Sequence, residues 1–299
     1  EAIKLTMDTD TLHSLHAEAQ RSKGLNLFRL GQAGQALDWL EGSLAYYRSI
    51  QKKRHASMVE AEMGMAYRAI GEYENARECY ENALATLRQI GDLTWQATLL
   101  NSMGVLYHAE GQYEKSVSSF EQGLDCARRS GYLDTEALIL ASMGDLYAEI
   151  GDLAIARQTY AQANKIAHTV FDQFLINYLT MVEADLARQE GDRERASALL
   201  DAVQPEVKSS DSSYEQGIFF LGSGRLALTA GNVQQAIWDL QAAIDQFSRG
   251  GLVMEQAWTL LWYAAACNEF GDPDAAFRHI NEALQLVSGK QPTHSLEAT

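Results

Sequence analysis

Residues 64–83 read GMAYRAIGEYENARECYENA, and forty positions later residues 104–123 read GVLYHAEGQYEKSVSSFEQG. Both keep a glycine, a tyrosine three places on, a Gly-x-Tyr turn, a small residue five past that turn and an aromatic nine past it. Outward from this pair, glycine stands at Gly31, Gly71, Gly111, Gly151, Gly191, Gly231 and Gly271. With 22 glycines in 299 residues, seven in phase would arise by chance on the order of once in a hundred thousand. The chain is a repeat with a 40-residue period.

Each turn glycine suits the left-handed position just past a helix end, and the polar residue that often follows suits the cap of the next helix. In the last copy Asp272 and Pro273 fit N-cap and N1. Seven residues before each turn stands Gly24, Gly64, Gly104, Gly144, Ala184, Gly224 or Ala264; five after it stands Ala36, Ala76, Ser116, Ala156, Ala196, Ala236 or Ala276. A glycine inside a helix costs about 1 kcal/mol relative to alanine, so its retention points to two helices crossing too closely for a side chain. Met63, Tyr67, Tyr80, Ala83 and Leu84 add apolar i, i+3, i+4, i+7 spacing. The spacing predicts helix A over about 17 residues before each turn and helix B over about 17 after it. Neither buries its apolar face alone, so the copies stack into one all-α solenoid of seven antiparallel hairpins.

Composition agrees. Three prolines among 299 residues, 46% hydrophobic and 21% charged, suit long uninterrupted helices. A net charge of −16 argues against nucleic-acid contact. No 18-residue apolar stretch or signal-peptide order is present, which predicts a cytosolic protein without membrane contact. Cys79, Cys126 and Cys267 lack CxxC spacing and read as reduced, buried thiols.

Small residue, Tyr67, Tyr107 or Tyr147 three later, the Gly-Asp/Glu-Tyr-x-x-Ala turn, then Tyr80, Phe120 or Tyr160 and Ala83 or Ala163 together resemble the tetratricopeptide repeat. The resemblance spans about residues 17–290 and weakens in copy five, where Ala184, Arg193 and Val203 depart from it. It implies a right-handed superhelical solenoid used as a protein- or peptide-binding scaffold. The 40-residue form further resembles the repeats of bacterial transcription activators of the maltose-regulator and LuxR types, and certain animal polarity scaffolds. This implies the sensory or partner-binding segment of a larger regulator, with a small-effector sensor or an oligomerisation segment joined through its ends as the alternatives.

In such proteins the helix A faces line a concave groove. Carried onto this sequence, the groove comprises Arg21, Asn101, Asp145, Tyr178, Met181, Asp185, Leu221, Arg225, Trp258 and Leu261. Trp262, Ile218 and Arg188 fall on neighbouring groove positions. The aromatic anchors with Asp145 and Asp185 suit an apolar or basic segment, although the same stripe is what packing against the next copy requires. No chaperone-type Lys/Asn/Arg clamp recurs in adjacent copies.

Residues 13–288 are read as the solenoid, 1–12 as a remnant of a preceding repeat and 289–299 as a polar tail; both ends look uncapped. Pro205 predicts an early end to helix B of copy five, with 206–213 as a hinge or as simple repeat decay, and Ser212 with Glu215 as a capping box. His13 and His16 lack further ligands at metal spacing, Gly222-Ser223-Gly224 lacks a phosphate-loop Lys-Ser/Thr, and no catalytic constellation or cofactor motif is found. The reading is a non-enzyme without a cofactor.

Overall fold

The computed structural model describes residues 9–288. Among them fourteen helices and no strands occur, in seven hairpins. The pairs are α1 (Thr9–Arg29) with α2 (Ala33–Ser49), α3 (Lys53–Ala69) with α4 (Tyr73–Ile90), α5 (Leu93–Ala109) with α6 (Tyr113–Ser130), and α7 (Leu133–Glu149) with α8 (Leu153–Val170). They continue as α9 (Gln173–Gln189) with α10 (Arg193–Ser209), α11 (Ser213–Thr229) with α12 (Val233–Arg249), and α13 (Val253–Phe270) with α14 (Pro273–Ser288). Odd-numbered helices are the A helices. α1 already starts at Thr9, and residues 1–8 and 289–299, to which most of the proposed remnant and the tail belong, lie outside the described residues.

All seven turn glycines have positive φ, between 69° and 93°. The amide after the glycine reaches five residues back, as in Glu72 N–H to the Tyr67 carbonyl at 2.9 Å and Gln112 N–H to Tyr107 at 2.8 Å. This bond satisfies a carbonyl that the helix end would orphan. The expected side-chain caps form at Asp152, Asp192 and Asp272 but not at Gln32, Glu72, Gln112 or Asn232. Gln and Glu carry an extra methylene that suits the N-cap geometry poorly; the absence at Asn232 has no such explanation.

The retained helix A glycines answer the side chain facing them. A Cβ at Gly64, Gly104 or Gly144 would run into the ring of Tyr80, Phe120 or Tyr160, and one at Gly24 or Gly224 would meet Leu40 or Leu240. Where the corresponding helix B residue is Leu200 or Ile280, helix A carries Ala184 or Ala264. The close approach is thus made by a helix B side chain laid over helix A. That position is almost wholly buried in six copies, from Leu40 at 0% to Leu200 at 6% exposure, whereas Ile280 is 40% exposed.

One expectation is corrected. α10 runs through Pro205 to Ser209, as long as its neighbours, so helix B of copy five does not end early. Val203 and Val207, both buried, anchor the turn that lacks the proline's donor. The connection shrinks to residues 210–212, and Ser212 caps α11 by accepting the Glu215 N–H at 3.2 Å, as the capping-box half of the expectation required.

The solenoid coils far enough to meet itself. A Cβ on Gly31 would lie 2.7 Å from the Cα of Gly251, and one on Gly251 would lie 2.5 Å from the Cα of Gly31. The turn inside the first hairpin therefore rests, backbone on backbone, against the turn between α12 and α13. Only glycine fits on both sides of this seam.

Candidate functional site

Because side chains recur with the repeat, the A helices present the same face to one interior. Tyr214 on α11 feels the charges of Glu255 on α13, Asp145 on α7 and Arg68 on α3, which come from up to four hairpins away. Within this interior Asp145, Asp185 and Arg225 occupy one register on α7, α9 and α11, one repeat apart in sequence.

Asp145 Oδ1 accepts the hydroxyls of Tyr178, at 2.7 Å, and Tyr160, at 2.8 Å. Burial raises the Asp145 carboxyl above its ordinary range, and the two hydroxyls only partly counter it. Both phenols are in turn pushed up by burial and by the adjacent carboxylate.

At Asp185 the balance reverses. Oδ1 accepts Arg188 Nε at 2.8 Å, Oδ2 accepts Gln189 Nε2 at 2.8 Å, and Arg225 Nη1 stands 3.3 Å from Oδ2. Burial would raise this carboxyl too, but Arg225 and Arg188 hold it below the ordinary range. The Arg225 guanidinium lies 4.5 Å from the Trp262 ring centroid, with Arg188 at 5.7 Å. Burial depresses Arg225 despite Asp185, and its Nε is buried without a hydrogen-bond partner.

A pocket of about 150 Å³ opens on this row, walled by Tyr160, Tyr178, Met181, Asp185, Leu221 and Arg225. It unites five of the ten sequence-derived groove residues. Asp145 stands behind it, bonded to two of its tyrosines. Trp258 and Leu261 lie elsewhere, in an apolar groove of about 820 Å³ with Trp262, Phe277, Ile280 and Leu284 at the last hairpin. Arg21 is held by Glu62, at 2.9 and 3.0 Å from Nε, and by Glu18. Asn101 is buried with its Oδ1 unbonded. Sequence reasoning missed Tyr160, which it treated as repeat packing. Its signal was that Phe120 shows the packing role needs no hydroxyl.

His13 and His16 are exposed, and among the described residues no group of three or more His, Cys, Asp or Glu gathers as a metal site. Cys126 and Cys267 are buried and Cys79 half-buried; all are free, and burial pushes the Cys79 thiol up to about 11. Among the described residues no helix is long and apolar enough to cross a membrane.

Hairpins, turns and interior groove together define an all-helical repeat scaffold. Residues 56–129 and 95–167 match the family model of the tetratricopeptide repeat. Among curated proteins none matches the sequence. Of solved structures, a Rap protein complexed with Competence and Sporulation Factor aligns at TM-score 0.73 and 14% identity, over 92% of this chain and 75% of that one. The Rap conjugation gene regulator of the plasmid pLS20, in complex with the Phr* peptide, aligns at 0.72 and 14%, over 98% and 82%. Aspartyl phosphate phosphatase F from Bacillus subtilis aligns at 0.57 and 10%, over 92% and 60%. At these identities the likeness is one of fold.

Proposed function

We propose that this chain is a non-catalytic peptide-binding scaffold that holds a short segment along its helix A faces, centred on Tyr178, Met181, Asp185, Leu221 and Arg225. The carrying observation is the pocket that sets aromatic and aliphatic walls beside an inter-repeat charge row, the mixture that gives peptides both burial and orientation. The Phr* complex of a similarly folded regulator supports the reading. In this reading the chain works in the cytoplasm as the sensory segment of a larger bacterial transcription or signalling regulator.

The test is thermal stabilisation by pools of five- to eight-residue peptides, run beside a small-molecule library. A ligand at one hundred times its Kd stabilises the fold by about 2.7 kcal/mol, so a peptide hit raises the melting temperature and Tyr178→Ala with Leu221→Ala abolishes the rise. Stabilisation by small molecules alone would sink the peptide reading in favour of an effector sensor.

A second reading rests on α14. Phe277 and Leu284 are 67% and 54% exposed, yet their counterparts one repeat earlier, Ile237 and Leu240's neighbour Ile244, are half-buried and buried beneath α13. That face has the chemistry of an interior one and suits end-to-end self-association. Sedimentation of wild type against Phe277→Ser/Leu284→Ser distinguishes it: concentration-dependent mass lost in the variant supports assembly, and a monomer throughout rejects it.

A further inference from the structure

We infer that Phe171 anchors one copy of this chain on another, its ring entering the apolar groove between α13 and α14 of the second copy. This rests on the reading of α14 as a self-association face and names the surface that face meets, a lateral edge and not the opposite end. Phe171 does nothing for its own fold. It follows α8 in the left-handed region, at φ 59° and ψ 34°, where a bulky side chain is a conformational outlier. The corresponding turns between hairpins place Gly91, Gly131 and Gly251 there, or Gln51. The residue is nevertheless 88% exposed, more than any other large apolar residue among those described. A strained backbone that gains no packing points to a use outside the fold. Phe174, three residues on, is 44% exposed, and Tyr132 and Leu133 are 41% and 38% exposed on the turn one repeat earlier along the same edge. The knob thus has an apolar shoulder.

The groove offers the matching hole. Its space of about 820 Å³ runs between Trp258, Leu261, Trp262, Phe277, Ile280 and Leu284, of which the last three are exposed. Charge selects what can seat there. The α13–α14 hairpin carries Glu255, Glu269, Asp272, Asp274 and Glu282 against Arg278 as its one Lys or Arg, so α14 set against α14 would bring like charges together. By contrast α8 contains Arg157 and Lys165 and no acid. Lys165 and His168 stand exposed at three-residue steps before Phe171, while Asp172 turns Oδ1 to the Leu175 N–H. An aromatic knob with a basic approach is thus opposed to an apolar groove on an acidic hairpin. Such a contact is heterologous: each copy offers both halves, and assembly runs open-ended or closes as a ring.

The test is sedimentation of wild type, Phe171→Gly and Phe277→Ser/Leu284→Ser, each alone, and of the two variants mixed in equal amounts. Glycine suits the left-handed turn, as at Gly91, so Phe171→Gly is expected to fold with a melting temperature no lower than wild type. Wild-type mass is expected to rise with concentration, and each variant alone to associate about thirtyfold more weakly, the loss that follows removal of an aromatic anchor. The mixture is the decisive arm. One variant keeps only the groove and the other only the knob, so together they are expected to form a dimer of one copy each and nothing larger. A mixture that stays monomeric overturns the pairing of Phe171 with the groove. Phe171→Gly that assembles like wild type, while Phe277→Ser/Leu284→Ser does not, also overturns it and leaves self-association through α14 standing. Wild type that stays monomeric at every concentration removes both.

Discussion

Asp145 and Asp185 are the same residue in the same register of adjacent hairpins, yet their surroundings drive them in opposite directions. Asp145 faces two neutral hydroxyls and its carboxyl is raised by burial; Asp185 faces two guanidiniums and is held low. The backbone is shared, so the difference comes from side chains of the same hairpin, Tyr160 at Asp145 against Arg188 at Asp185, and of the next one, Tyr178 on α9 against Arg225 on α11. In a repeat scaffold, then, a groove position is defined by the side chains of its own hairpin together with those one repeat further on.

Breaking the two arrangements separately should show this asymmetry. The largest effect is expected from Asp185→Asn, which strands two mostly buried guanidiniums and should cost about 3 kcal/mol, read as a lowered urea midpoint. A loss under about 1 kcal/mol would mean that the cations do not depend on this acid. Tyr178→Phe removes one of two donors to a buried carboxylate and should cost about 1.5 kcal/mol. Asp145→Asn, which keeps an acceptor for both hydroxyls and removes a buried charge, should move stability by less than about 1 kcal/mol.

Acidification sharpens the contrast further. Asp185 has a folded pKa below its ordinary value of 3.8, so its stabilisation is fully present above that value and is lost as the pH falls through the lower folded one. Asp145 has a folded pKa above 3.8, so it favours folding below that value and loses this as the pH rises through the folded one. Wild type should therefore lose its margin over Asp185→Asn toward acid while gaining on Asp145→Asn. Parallel slopes in the two denaturation series would reject the distinction.

The hairpins, their length and their turns were legible because the turn glycines and the small residues facing Tyr80, Phe120 and Leu40 repeat in strict phase. That Tyr178, Met181, Asp185, Leu221 and Arg225 would come together was legible for the same reason, since they recur at the same few positions of helix A. Pairing was not legible. That Arg21 is spent on Glu62, or that Asp185 is shared between Arg188 and Arg225, depends on side-chain reach between copies, which spacing does not encode. Pro205 misled because its local cost was weighed without the buried valines on either side of it. The exposed face of α14 was readable as apolar, but its distinction from the interior faces needed the burial of Leu240 and Ile244 for comparison.

The meeting of Gly31 with Gly251 alters how the molecule shares stability. An open solenoid behaves as a line of units coupled only to their neighbours and frays from either end. Here the first described unit also touches the junction of the last two, so the line meets itself at one point and is coupled there beyond its nearest neighbours. A bulkier residue on either side, such as Gly31→Val, would return the molecule to the open case, with hydrogen exchange rising first in α1 and α14 and leaving the middle hairpins protected.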